Sequence, residues 1–391
     1  MEFLFWLSLF IVFFTFLGYG ILLYVLVKLR KKLVGKRPIP ILAEPAPSLT
    51  LVVAAYNEED LIEEKVRNTL ALDYPRHALR ILFVTDGSSD NTPHLLAKYP
   101  EIITMHSPER RGKIHAIHRV METIQTELVV FTDANTLLNP QALRTIARHY
   151  SDPTVGAVAG EKRVAQEDVS DATAGEGFYW KYESTLKKWD SELYSVVGAA
   201  GELFSIRREL YEPVPADTIL DDFMISMLIA QKGYRIIYEP EAYATELSSA
   251  NIEEELKRKI RIAAGGIQSV VRLRSMLNPF PAPLLTFQYI GHRVLRWTVT
   301  PFFMLLAFVL NILLVFETDN WVYGLLLAGQ VLFYGAALTG HILQTRKIKV
   351  KALFVPYYFC VMNYAVLAGI ARYLRGNQSA VWVKAKRKSS E

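Results

Sequence analysis

Across 391 residues the chain is 51% hydrophobic and yet 21% charged, with a formal net charge of +5, so apolar and charged residues must be segregated along it. Its single cysteine, Cys360, lies in an apolar run, which excludes a disulfide framework and a thiolate metal site. The basic residues crowd beside apolar segments, where anionic lipid headgroups account for them, and no zinc finger or other nucleic-acid motif is present, so nucleic acid is excluded as a partner.

Phe3 to Val27 carries no charge, a run of about 25 residues that is long enough to cross ~30 Å of hydrocarbon as a helix. No basic n-region precedes it and no small-residue cleavage site closes it, so it is expected to be an anchor. The cluster Lys28, Arg30, Lys31, Lys32, Lys36 and Arg37 follows, and the positive-inside rule places it, and the domain after it, in the cytosol. A linker rich in proline (Pro38, Pro40, Pro45, Pro47) leads to the apolar run Leu49–Ala55, which ends in Tyr56, Asn57 and Glu58. Glu59, Asp60, Glu63 and Glu64 suit the first turns of a helix. A second run, Arg80 to Thr85, ends in Asp86-Gly87 and is followed by a helix from about Asn91. Ile102 to Thr104 is a third strand, Gly112 to Ile124 a helix, and Leu128 to Phe131 a fourth strand. Such β-α alternation predicts an α/β, doubly wound and largely parallel sheet. Asn57, Asp86, Asp133 and Asn135 then share the carboxyl edge, where open sheets bind ligands.

Asp133 and Asn135 stand two apart at the end of the fourth strand. If the chain is still extended there, both side chains point to one face and offer two oxygen donors to a divalent cation. The alternative is that they are turn and cap residues before a helix starting near Asn139-Pro140. For Asp221 and Asp222 the alternative to chemistry is capping of the helix Phe223 to Gln231. His115 and His118 have helical spacing but no third ligand, which reads as a solvated face. Gly265-Gly266 suits a tight helix contact or helix end, and the Asn377-Gln-Ser379 sequon sits in a basic tail where it is chance.

The motifs Val52-Val-Ala-Ala-Tyr-Asn-Glu58, Asp86-Gly-Ser-Ser-Asp-Asn-Thr92, Arg111-Gly-Lys113 and Asp133-Ala-Asn135 stand in the order seen in family 2 glycosyltransferases. The resemblance continues through Tyr182-Glu183, Gly198-Ala-Ala-Gly201, Ile206-Arg207-Arg208, Leu220-Asp-Asp222 and Gly233 to Ala242, and covers roughly residues 49–271. Those enzymes are inverting, use nucleotide sugars and have a GT-A fold; the cellulose, hyaluronan and poly-N-acetylglucosamine synthases are among them. The resemblance implies a nucleotide-sugar site made by Ala55, Asn57, Glu58, Asp86, Lys113, Asp133, Arg258 and Arg261, with a UDP-sugar favoured. It implies Mg²⁺ or Mn²⁺ held by Asp133 and Asn135, where Asn in place of the family's Asp ligates without charge. It implies Asp222 as general base, with Asp221 beside it. A sugar hydroxyl needs such a base, and the paired carboxylates raise one pKa.

Where processive members carry Gln-x-x-Arg-Trp, this chain has Arg258-Lys-Ile-Arg-Ile262. Arg261 keeps the arginine, but the glutamine and the aromatic platform are replaced. Arg258, Lys259 and Arg261 either meet the diphosphate or form the basic face of a helix on the membrane.

Residues 281–297 mix aromatic and basic side chains as an interfacial segment does. Thr298 to Phe316 and Trp321 to Leu343 are expected to span. Ala352 to Ile370 is apolar enough to be a third span, but a span would put Lys384, Lys386, Arg387 and Lys388 outside, so a re-entrant or interfacial hairpin is favoured over it. The predicted organisation is an anchor (1–30), a basic linker (31–47), a cytosolic GT-A domain (48–275) and a C-terminal membrane region (276–391). The expected function is transfer of a hexosyl group to a polysaccharide or lipid-linked saccharide, at the inner membrane of the cell. The alternatives are a processive poly-N-acetylglucosamine or hyaluronan-type synthase, with partner subunits for export, and a non-catalytic scaffold of an export complex.

Overall fold

Strands buried on both faces and helices with one apolar face make the sheet that the alternation implies. The computed structural model describes residues 1–35, 37–38, 40–164, 173–246, 252–346, 348 and 350–376. Lys36, the sequon and the basic tail from 384 lie outside the described residues. Helix α1 (Glu2–Phe13) continues through a π-helical turn (Phe14–Gly18) into α2 (Tyr19–Val34). The expected series then appears: β1 (Leu49–Ala55), α3 (Ile62–Leu70), β2 (Leu79–Asp86), α4 (Thr92–Leu96), β3 (Ile103–Ser107), α5 (Lys113–Met121) and β4 (Leu128–Asp133). The next elements are β5 (Thr136–Leu138), α6 (Ala142–Ala147), β6 (Val155–Val164), α7 (Thr173–Leu193), β7 (Leu203–Arg207), α8 (Asp221–Gln231), β8 (Arg235–Glu246) and α9 (Ile252–Arg272).

One eight-stranded sheet has the order β3-β2-β1-β4-β7-β6-β8-β5. Central β1 is parallel to both β2 and β4, with Ala55 opposite Thr85 and Ala54 opposite Asp133, so three strand tips end level. β7 runs antiparallel to β4 and β6, and β5 antiparallel to β8; the sheet is mixed and mostly parallel. Alternate residues feed two cores, as a period of two requires. Val52, Ala54, Val84 and Phe131 meet α5 and α8 on one face, while Leu51, Val53, Phe83 and Val130 meet α3 and α6 on the other.

Gly265 and Gly266 make the tight contact expected of them. A Cβ on Gly265 would lie 2.8 Å from Ile219 and Leu220, and one on Gly266 2.7 Å from the Trp297 ring. The bare face of α9 therefore seats against the entry of α8, where Asp221 and Asp222 begin the helix.

The last third is helical: α10 (Pro283–Tyr289), a π-helical turn (Ile290–Val294), α11 (Leu295–Trp297), α12 (Thr300–Glu317), α13 (Trp321–Thr345) and α14 (Lys351–Leu374). Among the described residues four helices are long and apolar enough to cross a membrane: Glu2–Val34, Thr300–Glu317, Trp321–Thr345 and Ala352–Leu374. The last corrects the expected hairpin. Pro356 lies inside α14 without breaking it, and Gly369 packs on Ala263 and Ala264 of α9 instead of making a turn. A continuous helix also pairs its own backbone groups, which a turn in an apolar surrounding leaves unpaired.

A buried ionic network ties the first apolar helix to the domain. Glu183 of α7 accepts from His292 Nε2 at 3.1 Å, Arg293 at 2.8 Å and Arg296 at 2.9 Å. Asp190, one α7 face further on, meets His292 Nδ1 at 2.5 Å and accepts from Gln288 and from the Tyr19 hydroxyl. Tyr19 lies against Gly291, where a Cβ would be 2.3 Å from its ring, so the two π-helical turns cross at a glycine. Removing one partner from a buried network leaves charge uncompensated. Glu183→Gln is therefore expected to destabilise the detergent-solubilised protein by about 3–5 kcal/mol, whereas Lys31→Ala, which breaks the partly exposed Lys31–Glu192 pair, should cost under about 1 kcal/mol. Unfolding midpoints compare the two; equal shifts would mean that the network does not anchor the helix.

Candidate active site

The level tips of β1, β2 and β4 open onto a shallow cleft lined by Ala54, Ala55, Tyr56, Val84, Asp86, Arg110, Gly112, Lys113 and Ala116. Asp86 ends β2. Its Oδ2 accepts from the Arg111 N–H at 2.9 Å and the Gly112 N–H at 2.5 Å, while Oδ1 is buried with no protein partner among the described residues. An orphaned, buried carboxylate oxygen on the wall of a cleft is an acceptor waiting for a donor. The Arg110 guanidinium lies 4.0 Å from the Tyr56 ring centroid, a flat cation–aromatic wall beside it. Gly112, at φ 98°, turns the chain into α5.

Asn57 and Glu58 have a different placement from these lining residues. Asn57, at φ 52°, accepts from the Ser89 N–H at 2.8 Å, and the buried Glu58 donates its N–H to Thr92 Oγ1 at 2.9 Å. Together with Glu59 and Asp90, which exchange hydrogen bonds with each other's segment, they fasten the β1 tip to the loop after β2. They hold the cleft's shape.

Deeper in, α5 delivers Lys113 between two acidic elements. Its Nζ is 2.8 Å from Asp133 Oδ1 and 3.8 Å from Asp221 Oδ2. Burial opposes this ammonium, but Asp133, Asp221 and Asp222 outweigh it and hold the lysine protonated well above its usual range. Asp222 Oδ1 accepts from the Phe223 N–H at 2.8 Å, and a Cβ on Gly201 would be 3.3 Å from Oδ2 and 3.5 Å from Lys113 Nζ. The bare Gly201 therefore leaves room at the second oxygen. Burial first and the neighbouring Asp221 second push the Asp222 carboxyl up to about 7, against the pull of Lys113 and the Phe223 N–H.

Asp133 closes β4, and Ala134-Asn135 form a turn into β5, so the two polar residues flank a turn and the strand does not run on through them. Behind the turn, fully buried Lys65 donates to the Thr136 carbonyl at 2.6 Å and to Thr132 Oγ1 at 3.2 Å. Among the described residues no group of three or more His, Cys, Asp or Glu forms a cation cage. A carboxylate and an amide oxygen suit a hard divalent cation that takes its other ligands from phosphate and water; the donor set fits in that sense.

Arg258 and Arg261 diverge along α9. Arg258 pairs with Glu255 at 3.0 Å and faces a second cluster, where Lys162 bridges Glu202, at 2.7 Å, and Glu246. Arg261 instead lies within the field of Asp221 and Asp222. Glu202, directly after Gly201, carries no signal of its own in the sequence; its charge reaches both Asp133 and Asp222. Tyr56, Arg110 and Lys65 were also missed, and only Tyr56 lies inside a recognisable motif.

Residues 50–214 match the family model described as glycosyl transferase family 2. Over 255 residues the chain is 29% identical to poly-beta-1,6-N-acetyl-D-glucosamine synthase of Staphylococcus aureus, covering 62% of this chain and 61% of that protein. It therefore spans about three-fifths of the length of those relatives. It is 32% identical over 165 residues to beta-monoglucosyldiacylglycerol synthase of Synechocystis, covering 41% of this chain and 34% of the other. Among solved structures, the mannosyltransferase PcManGT of Pyrobaculum calidifontis, in complex with GDP-Man and Mn²⁺, superposes with a TM-score of 0.70 at 25% identity, over 96% of this chain and 100% of that one.

The Asp86 anchor is directly testable. Asp86→Ala frees two loop N–H groups and should destabilise the protein by about 1–3 kcal/mol, with Asp86→Asn, which keeps one acceptor, losing less. Thermal unfolding of the solubilised protein reads both; an Ala variant that melts like wild type would remove the anchor.

Proposed function

From a chain whose residues 50–214 match the glycosyl transferase family 2 model, we propose a membrane-integrated, inverting transferase. It moves a sugar from a nucleotide-diphospho-sugar to a polysaccharide or lipid-linked saccharide acceptor, with its catalytic domain on the cytosolic face. The observation that carries this reading is Asp222: a buried carboxyl pushed up to about 7, with one oxygen fixed by the Phe223 N–H and the other open beside Gly201. A base poised near working pH takes up a hydroxyl proton efficiently.

In this reading the nucleoside occupies the cleft at Tyr56, Asp86 and Arg110, with the orphaned Asp86 oxygen accepting from base or ribose. The diphosphate lies toward Lys113 and Asp133. Asp222 removes the acceptor hydroxyl's proton as that oxygen forms its bond to the anomeric carbon. The bond from that carbon to the diphosphate oxygen breaks on the opposite side, and the configuration inverts. Lys113 turns from Asp133 to the departing diphosphate and offsets its charge. Asp133 and Asn135 would hold Mg²⁺ or Mn²⁺, which supplies Lewis-acid stabilisation of the leaving group; the Mn²⁺ bound in the mannosyltransferase complex supports a divalent cation here.

Non-processive addition of one or a few sugars is favoured over polymer synthesis. Ile262 stands where processive members have tryptophan, and the nearby Trp297 is packed on Gly266 and Phe223.

Nucleoside diphosphate release by the solubilised protein, across a panel of nucleotide sugars with membranes as acceptor, tests this. Release with one donor is expected, dependent on Mg²⁺ or Mn²⁺ and reduced at least about 100-fold in Asp222→Asn. Equal rates in mutant and wild type would remove Asp222 as the base, and long products would favour the polymer synthase.

A further inference from the structure

Two arginines lie near the junction of the last apolar helix and α9, and neither side chain has a hydrogen bond or ion pair with a described residue. Arg261 lies on α9, with its Nε buried and without a partner. Arg372 lies near the end of α14. The two helices pack closely beside them: a Cβ on Gly369 would be 2.6 Å from the Ala263 Cβ and 2.8 Å from the Ala264 N. That contact leaves no room for an intervening side chain, and Arg372 follows Gly369 by three residues, on the same helix face. The two guanidinium groups are within electrostatic reach of each other, and Arg261 also feels Asp221 and Asp222.

Two like charges held together, both only partly exposed, repel each other and present unused donors. Burial already works against the Arg261 charge, and Arg372 adds to that. The nearest carboxylate, Asp221, is shared with Lys113. A ligand that satisfies such a pair is an anion with several acceptor oxygens in a compact arrangement, which guanidinium forks bind bidentately.

We propose that Arg261 and Arg372 form a phosphate-binding site at the junction of α9 and α14, beside the catalytic carboxylates. The phosphate belongs either to a lipid that carries the acceptor or to the nucleoside diphosphate. The site deepens the transferase reading and rests on it for its purpose, because α14 thereby closes the acceptor end of the catalytic centre with a charge from an apolar helix.

Equilibrium binding to the full chain in detergent micelles tests the site without turnover. The probes are UDP, GDP and farnesyl phosphate, with farnesol as the uncharged control. Arg372→Ala is expected to weaken a phosphate-bearing probe by about tenfold, the loss of one charge-assisted pair, with farnesol unchanged and Arg372→Lys recovering part of the loss. A loss confined to farnesyl phosphate assigns the lipid source, and one confined to UDP or GDP assigns the donor. Arg375→Ala, one turn on and exposed, should bind like wild type. Unchanged binding of every probe by Arg372→Ala, an equal loss in Arg375→Ala, or no phosphate binding by wild type would each overturn the site. Arginine-dependent binding in a protein that transfers no sugar would leave the site standing while the transferase reading fell.

Discussion

The Lys113 ammonium is the constraint on which the candidate active site depends. Asp133 comes from the sheet, Asp221 and Asp222 from the entry of α8, and the three carboxylates share one cation at their centre. Without it they would repel one another in a buried place. With it, the carboxylates still outnumber the ammonium by two, and burial first and the Asp221 charge second raise the pKa of Asp222. The same lysine therefore holds the strand tip of β4 and the start of α8 together. Lys113 itself begins a helix anchored by the Asp86–Gly112 hydrogen bond.

Around this centre the fold supplies rigidity from two directions. β1 sets Asp86 and Asp133 level through its two parallel neighbours. On the other side, the glycines of α9 let that helix approach Leu220 and Trp297, which fixes where α8 starts. The Glu183–Asp190 network then ties α7 to α2 and to the 290–297 segment. Buried charges joined in this way are sensitive to geometry and specify one docking of the apolar helices against the domain.

Much of this was legible in the chain. Apolar runs ending in Asn57, Asp86 and Asp133 predict parallel strands with polar tips, because only a doubly covered strand is apolar at every position. The antiparallel half was not legible: β7 and β8 are interrupted by polar residues such as Ser205 and Glu239, buried by partners far along the sequence. The role of Asn57 and Glu58 in fastening a loop likewise depends on Ser89 and Thr92, some thirty residues away. The hairpin expected at 352–370 rested on the charge of a distant tail, whereas local backbone pairing decides whether a helix continues. Arg261 and Arg258 look equivalent in sequence, yet their spacing of three residues is enough to send one toward Asp221 and the other toward Glu202.

The most direct test of Asp222 as the base is the pH dependence of kcat/KM, which reports the free enzyme's titrating groups. An active form that needs an ionised Asp222 gives a rate rising with pH through about 7 and then level. Replacing Asp221 by Asn removes a neighbouring charge that raises the Asp222 pKa, so the rising limb must move to lower pH. A limb that stays in place in that variant, or a wild-type rate flat from about pH 5 to 9, would contradict the account.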